Sequence, residues 1–391
     1  MEQLKMKIGI LPNQYLKTDG TFNKKEAINL SGKIAGVCYD KEGFENLLNE
    51  PESITARMID MTLNNGHHSV YDHIMISFNI QNIPKILAMV LNNEHQYTTS
   101  EKSLRYTEAI DGMSNKEIEL YNKWTNIIKE KIKKRYPTFE DKHITKLARE
   151  NARYFISVFY PTEMIYTTSI RQLNFIVSVM KKYISQAQSE NSLKLAKSMK
   201  EFISLLDKLG LLEERLQGNI KNRSLSLFGT NLKECNEYYS WVYSTKYIGS
   251  LASFAQAQRH RTINYKIEFS NEGYFVPPII MDDENLVHEW NKDMESVDSL
   301  LPQGKNVIIC EMGTYDNFLL KCSERLCTNA QLEIMMQTKE VLTKYINALK
   351  ETNSSLYEEF NSYSKGARCT FGYTCSKPCK VSEGITLVRK I

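Results

Sequence analysis

The residues with the most chemistry to offer stand in the stretch Gln256 to Ser270, "QAQRHRTINYKIEFS". Arg259 and Arg261 carry fixed charges and forked donors, which suit a phosphate or pyrophosphate. Two guanidiniums this close repel each other unless an anion or carboxylate stands nearby. Gln256 lies one helical turn before Arg259 and can share its face. The plainer alternative is a solvated basic turn laced to Glu268.

A second stretch, "MVLNNEHQYTTSEKSLRYTE" (Met89–Glu108), reads as a distorted echo of the first. Asn92-Asn93-Glu94 takes the place of Arg259-His260-Arg261, and Glu101 and Ser103 match Glu268 and Ser270 at the same spacing. In an extended segment, Ser103 and Arg105 point the same way and can face one anion. Further on, Ala187-Gln188 and Ala330-Gln331 correspond. Upstream, "NNGHHSVYDH" holds His67, His68, Asp72 and His73. Their spacing admits a metal, and equally a helix C-cap at Gly66 followed by polar loop.

These groups need elements to position them. Helical patterns cover 26–36, 42–50 and the run ending at Gly66, and Ile74–Ile80 alternates as a strand does. "IPKILAMVLNN" is helix-like, with Pro84 near its first turn. Residues 115–152 read as helix broken near Pro137, and the segment from Thr168 to Leu209 is helix-rich. After Gly210 the pattern restarts: strand in "EYYSWVYSTKYIGS", short helix in "LASFAQAQ", extended chain in "YFVPPIIM", then long helices from Asp316. Strand, short helix, polar segment and long helices thus come twice, which suggests an internal duplication.

The bulk numbers narrow the class. The chain has 391 residues, 42% hydrophobic and 25% charged, values of a globular protein of two or more domains. A net charge of +4 gives no case for nucleic-acid binding. No apolar run suits a membrane span, and the N-terminus does not read as a signal peptide, so a cytoplasmic location is expected. Eight cysteines in such a chain are expected to be thiols, or in part metal ligands, rather than a disulfide frame. Cys369, Cys375 and Cys379 near the end lack the usual zinc spacing.

The two stretches together resemble the flavin-dependent thymidylate synthases. That family's signature is Arg-His-Arg followed by Ser after a short spacer. Here "QAQRHRTINYKIEFS" matches it with one extra spacer residue, and "CSERLCTNAQLEI" matches the family's Ala-Gln-x-Glu-Ile helix with Arg325 ahead of it. The first half adds "HHSVYDH", with Asp72 for the family's Glu, and "SLRY", "NARYF" and "TSIRQLNF". What is missing differs between the halves. The first lacks Arg-His-Arg and has Lys182 for Arg325. The second has Glu272, Asp298 and Asp316 where the first has Arg105, Arg153 and Arg171.

The resemblance implies an α/β (α+β) protein of two such domains, each an antiparallel sheet with long helices, fused as a pseudodimer. Boundaries fall at 1–212 and 213–391. It implies reductive methylation of dUMP to dTMP with FAD, NADPH and methylenetetrahydrofolate, at one composite site per chain. The same chemistry on UMP, or a descendant that binds flavin or nucleotide without catalysis, are the alternatives. Arg325 would be catalytic. Gln256, Arg259, Glu101, Ser103, Leu104, Arg105 and Arg153 would hold the nucleotide. Arg259, His260, Arg261, Glu268, His67, Ser69, Ser169 and Arg171 would hold the flavin. No metal, cysteine nucleophile, nucleic acid or membrane is expected, and a homodimer would reproduce the family's tetramer.

Overall fold

Side-chain caps set most of the helix starts in the computed structural model, which describes residues 4–37, 40–41, 43–64, 67–103, 112–217, 225–228, 242–260, 262–328, 330–352, 354–371 and 390–391. The elements run β1 (Lys7–Ile10), α1 (Lys24–Gly36), α2 (Phe44–Leu48), α3 (Glu52–Asn64), β2 (Met75–Pro84), α4 (Lys85–Leu91), β3 (Thr98–Glu101), α5 (Asn115–Arg135) and α6 (Asp141–Ala152). They continue β4 (Pro161–Ser169), α7 (Ile170–Gln186), α8 (Glu190–Lys208), β5 (Val242–Ser250), α9 (Leu251–Ala257), β6 (Asn264–Tyr274), α10 (Glu284–Glu295), β7 (Lys305–Thr314), α11 (Tyr315–Arg325), α12 (Leu332–Thr352) and α13 (Ser354–Ser362). Ser114 and Glu117 form a reciprocal capping box at α5. Ser169, Ser250 and Thr314 each stop a strand and cap the next helix through the hydroxyl.

By contact the chain forms two units. Unit 1 takes residues 1–102 and 161–229, and unit 2 takes 103–160 and 230–391. Unit 1 holds an antiparallel sheet in the order β1-β2-β4-β3, and unit 2 one in the order β5-β7-β6. The protein is thus a mixed helix and antiparallel-sheet fold. The units do not break at 212. Segment 103–160, expected with the first half, packs in unit 2, because the apolar faces of α5 and α6 close one core with α10. Trp124, Phe155 and Trp290 meet there, ring centroids 4.5–6.0 Å apart and all three side chains fully buried. Among the described residues no helix is long and apolar enough to cross a membrane.

Strand, short helix and strand, then one or two helices, then strand, helix and helix recur along the chain (β2 to α8 and β5 to α12), and each time the last strand pairs with the two before it. Residues Ser169 and Thr314 begin corresponding helices, and Pro84 and Ser250 likewise. This frame moves the echo by one position. Counted from Pro84 and Ser250, the counterpart of Arg259-His260-Arg261 is Asn93-Glu94-His95, not Asn92-Asn93-Glu94. Burial does not separate the two registers, since Asn92, Asn93 and Glu94 are all buried. Strand pairing gives the same shift: Glu101 lies opposite Met164, and Ile267 opposite the corresponding Ile309. Side chains alternate along a strand, so the one-residue slip puts Glu101 and Glu268 on opposite faces. Glu101 turns inward to Lys85 Nζ at 2.6 Å, while Glu268 lies outside with Lys246 and Lys266. Counted from the helix starts, the counterpart of Arg325 is fully buried Met180 rather than Lys182.

Candidate functional site

Within unit 2, α9 runs only seven residues before the chain turns. The amide of Arg259 bonds to the Gln256 carbonyl at 3.4 Å, and that of His260 to the Ala257 carbonyl at 3.0 Å. The turn leaves Arg259 exposed and buries His260. Gln256 is buried too, and its Oε1 has no hydrogen-bond partner. His260 Nε2 stands 3.8 Å from Glu324 Oε2 on α11. Burial, and then the charges of Arg325 and Lys321, pull the His260 pKa down to about 2. Its imidazole is therefore neutral at physiological pH. Arg325 is the last residue of α11, where the helix dipole favours a cation. Arg261 lies outside the described residues.

A second polar cluster ties into the same unit. Arg153 Nη2 donates to Gln331 Oε1 at 2.7 Å, and the Gln331 amide donates to Tyr154 Oη. Tyr154 Oη in turn donates to Glu333 Oε2 at 2.8 Å. Glu333 also accepts from the Ser250 amide at 2.7 Å and the Ser250 hydroxyl at 2.6 Å. Burial pushes the Glu333 pKa up against these hydrogen bonds, which work to lower it. Gln331 and Glu333 of the Ala-Gln-x-Glu-Ile segment thus anchor both Arg153 and the start of α9. On the outer face of the sheet, Lys266 and then Lys246 hold the Glu268 carboxyl below the usual range.

Unit 1 assembles the other expected flavin residues around Asp72. Ser169 Oγ donates to Asp72 Oδ1 at 2.6 Å and caps α7 by accepting from the Gln172 amide. Arg171 Nη1 pairs with Asp72 Oδ2. His67 and Ser69 are exposed beside them in sequence, at the 3-10 turn His68–His73. His68 Nε2 is engaged with the Leu63 carbonyl at 3.0 Å. Among the described residues no three His, Cys, Asp or Glu side chains converge to hold a metal. Ser103 is half-buried just after β3. Leu104 and Arg105 lie outside the described residues, as do Cys375 and Cys379, and Cys369 is exposed. Burial pushes the thiols of Cys310 and Cys322 up, away from the thiolate.

Sequence reasoning missed the bonds that Asp72 and Glu333 make. It also missed the buried Glu311–Lys321 pair behind His260. A signal existed for Lys321: it precedes Arg325 by one helical turn on the same face.

The model of the thymidylate synthase complementing protein family matches residues 23–204. A flavin-dependent thymidylate synthase of Thermococcus onnurineus (strain NA1) is 22% identical over 151 residues, 36% of this chain and 59% of that relative. The chain thus spans just over half the length of that curated relative. Thymidylate synthase X of Helicobacter pylori, solved with FAD and dUMP, is 14% identical, with a TM-score of 0.31 over 55% of this chain and all of that one. A UMP/dUMP methylase, PolB, of Streptomyces cacaoi, solved with 5-Br dUMP, is 13% identical, with a TM-score of 0.32 over 53% of this chain and 97% of that one. Residues 23–204, just under half of the chain, are thus similar to the thymidylate synthase complementing protein family.

Proposed function

We propose that the chain is an FAD-dependent uridylate methyltransferase, converting dUMP to dTMP with methylenetetrahydrofolate and NADPH. It arose by tandem duplication and kept one of two composite sites. The observation that carries this reading is the bond from Arg153 to Gln331, which joins two sequence motifs of that reaction far apart in the chain. The complementary losses between the halves support it as well. The second half keeps Gln256, Arg259 and Arg325, and the first keeps Ser103, Arg105, His67, Ser69, Ser169 and Arg171.

The residues fit the ligands. The buried Gln256 Oε1 without a partner suits a ring N–H of a base. Exposed Arg259 suits the phosphate. Ser169, Arg171, His67 and Ser69 suit the polar groups of a flavin nucleotide. Bound FAD, reduced by NADPH, supplies the electrons that turn a transferred methylene into a methyl group. The chain's own share is orientation and charge. Arg325 stabilises negative charge on the uracil as N3 loses its proton, and neutral His260 fills the turn without adding to the positive field. Two copies would associate to complete the assembly.

The test is direct. Arg259→Ala and Arg105→Ala should each abolish uridylate binding in calorimetry, and if either leaves it intact the composite site is wrong. Mass spectrometry of the product after incubation with FAD, NADPH, methylenetetrahydrofolate and either dUMP or UMP identifies the substrate. The PolB neighbour's printed substrates, UMP and dUMP, keep the ribonucleotide as the second reading.

A further inference from the structure

A buried ion pair distinguishes the two units at corresponding positions. In unit 2, Lys321 Nζ on α11 donates to Glu311 Oε2 on β7 at 2.5 Å, with the side chains 1% and 0% exposed. Glu311 also accepts from Tyr243 Oη at 3.0 Å and Tyr247 Oη at 2.7 Å. The Lys321 ammonium lies 5.6 Å from the Tyr247 ring centre and 5.9 Å from that of Tyr265. Counted from the caps Ser169 and Thr314, the matching residues of unit 1 are Tyr166 and Ile176. Both are fully buried, and Tyr166 Oη reaches only the Leu91 carbonyl, at 3.1 Å.

At these two positions unit 1 therefore carries no charge, although the buried Glu94 carboxylate acts on Tyr166. Taking two charges out of water is costly, and packed apolar groups often serve stability equally well or better. Unit 1 shows that this fold has such a solution. What unit 2 has and unit 1 lacks is the Arg259-His260 turn and Arg325. Lys321 lies one helical turn before Arg325, and its charge acts on His260 together with that of Arg325. An apolar contact lets a helix slide or rotate by small amounts. Here the ion pair, with Glu311 held in addition by two tyrosine hydroxyls, ties named atoms of β7 and α11 together in a dry site.

We propose that the Glu311–Lys321 pair is a positioning device for the uridylate site, pinning the last turn of α11 to β7 so that Glu324 and Arg325 are held at His260. The proposal rests on the functional reading above. Lys321 and Glu311 themselves are positioning residues and touch no substrate.

The experiment replaces the pair by a neutral one, Glu311→Gln with Lys321→Met, in the full-length chain. The expected result is cooperative unfolding at or above the wild-type temperature, dUMP affinity reduced at least tenfold, and a changed ring signal of His260 in 15N NMR. A folded double variant with wild-type dUMP affinity would overturn the proposal. So would a double variant that fails to fold, since the pair would then serve the fold itself. If the wild-type chain binds no uridylate, the functional reading falls on its own. The NMR comparison then decides: an unchanged His260 signal in the double variant refutes positioning by the pair.

Discussion

Arg153 and Gln331 are 178 positions apart, and a guanidinium-to-amide bond of 2.7 Å joins them inside one unit. Arg153 opens the 3-10 turn that follows α6, and Gln331 stands just before α12. Tyr154 and Glu333, one and two residues further along, continue the bond as a second link. The pairing puts an arginine from the first half of the sequence on the signature helix of the second.

Arg153→Ala should therefore act twice. Losing a hydrogen bond to a buried charged group costs about 1.5–3 kcal/mol, which chemical denaturation should register. dUMP binding should weaken as well. A variant with unchanged stability would show that the Gln331 contact carries no weight.

Arg325→Ala should leave the fold and flavin binding nearly intact. The methylation rate should fall by about two to three orders of magnitude, the usual effect of removing one group that stabilises developing negative charge. Single-turnover rates with saturating dUMP separate this from weakened binding.

His260 predicts a pH dependence. Its folded pKa is depressed to about 2, below the usual value of 6.5. The unfolded chain then takes up a proton that the folded chain refuses. The resulting stability is complete above pH 6.5 and is lost as pH falls toward 2, by at most about 1.4 kcal/mol per unit. Unfolding free energies at pH 7, 6 and 5 should drop more steeply for wild type than for His260→Gln. Parallel slopes would refute a buried neutral imidazole.

Asp72→Asn should loosen Arg171 and weaken the hold on Ser169. If both side chains meet the flavin, its affinity should fall by roughly tenfold, about 1.4 kcal/mol. A fluorescence titration with FAD measures it, and an unchanged constant would separate Asp72 from flavin binding.

The sequence alone determined the parts that depend on neighbours along the chain. Helix starts at Ser250 and Ser114, the strand over Ile74–Ile80 and the Arg259-His260 turn after a short helix all follow from local propensity and capping. So did the repeated order of elements, because hydrophobic periodicity is local. The middle strands β4 and β7 were not legible. Each gains its identity from partners up to about 90 residues away, such as Ser169 opposite Met75. For the same reason the spacing of charged residues suggested an echo one position out of register, which only cross-strand pairing could correct. Tertiary packing alone decided that α5 and α6 join unit 2, since their apolar faces fit Trp290 wherever the chain happens to be cut. It also decided that Glu311 and Lys321 share one dry pocket behind His260. Burial of a charge is a property of what surrounds it, and no run of neighbouring residues encodes that.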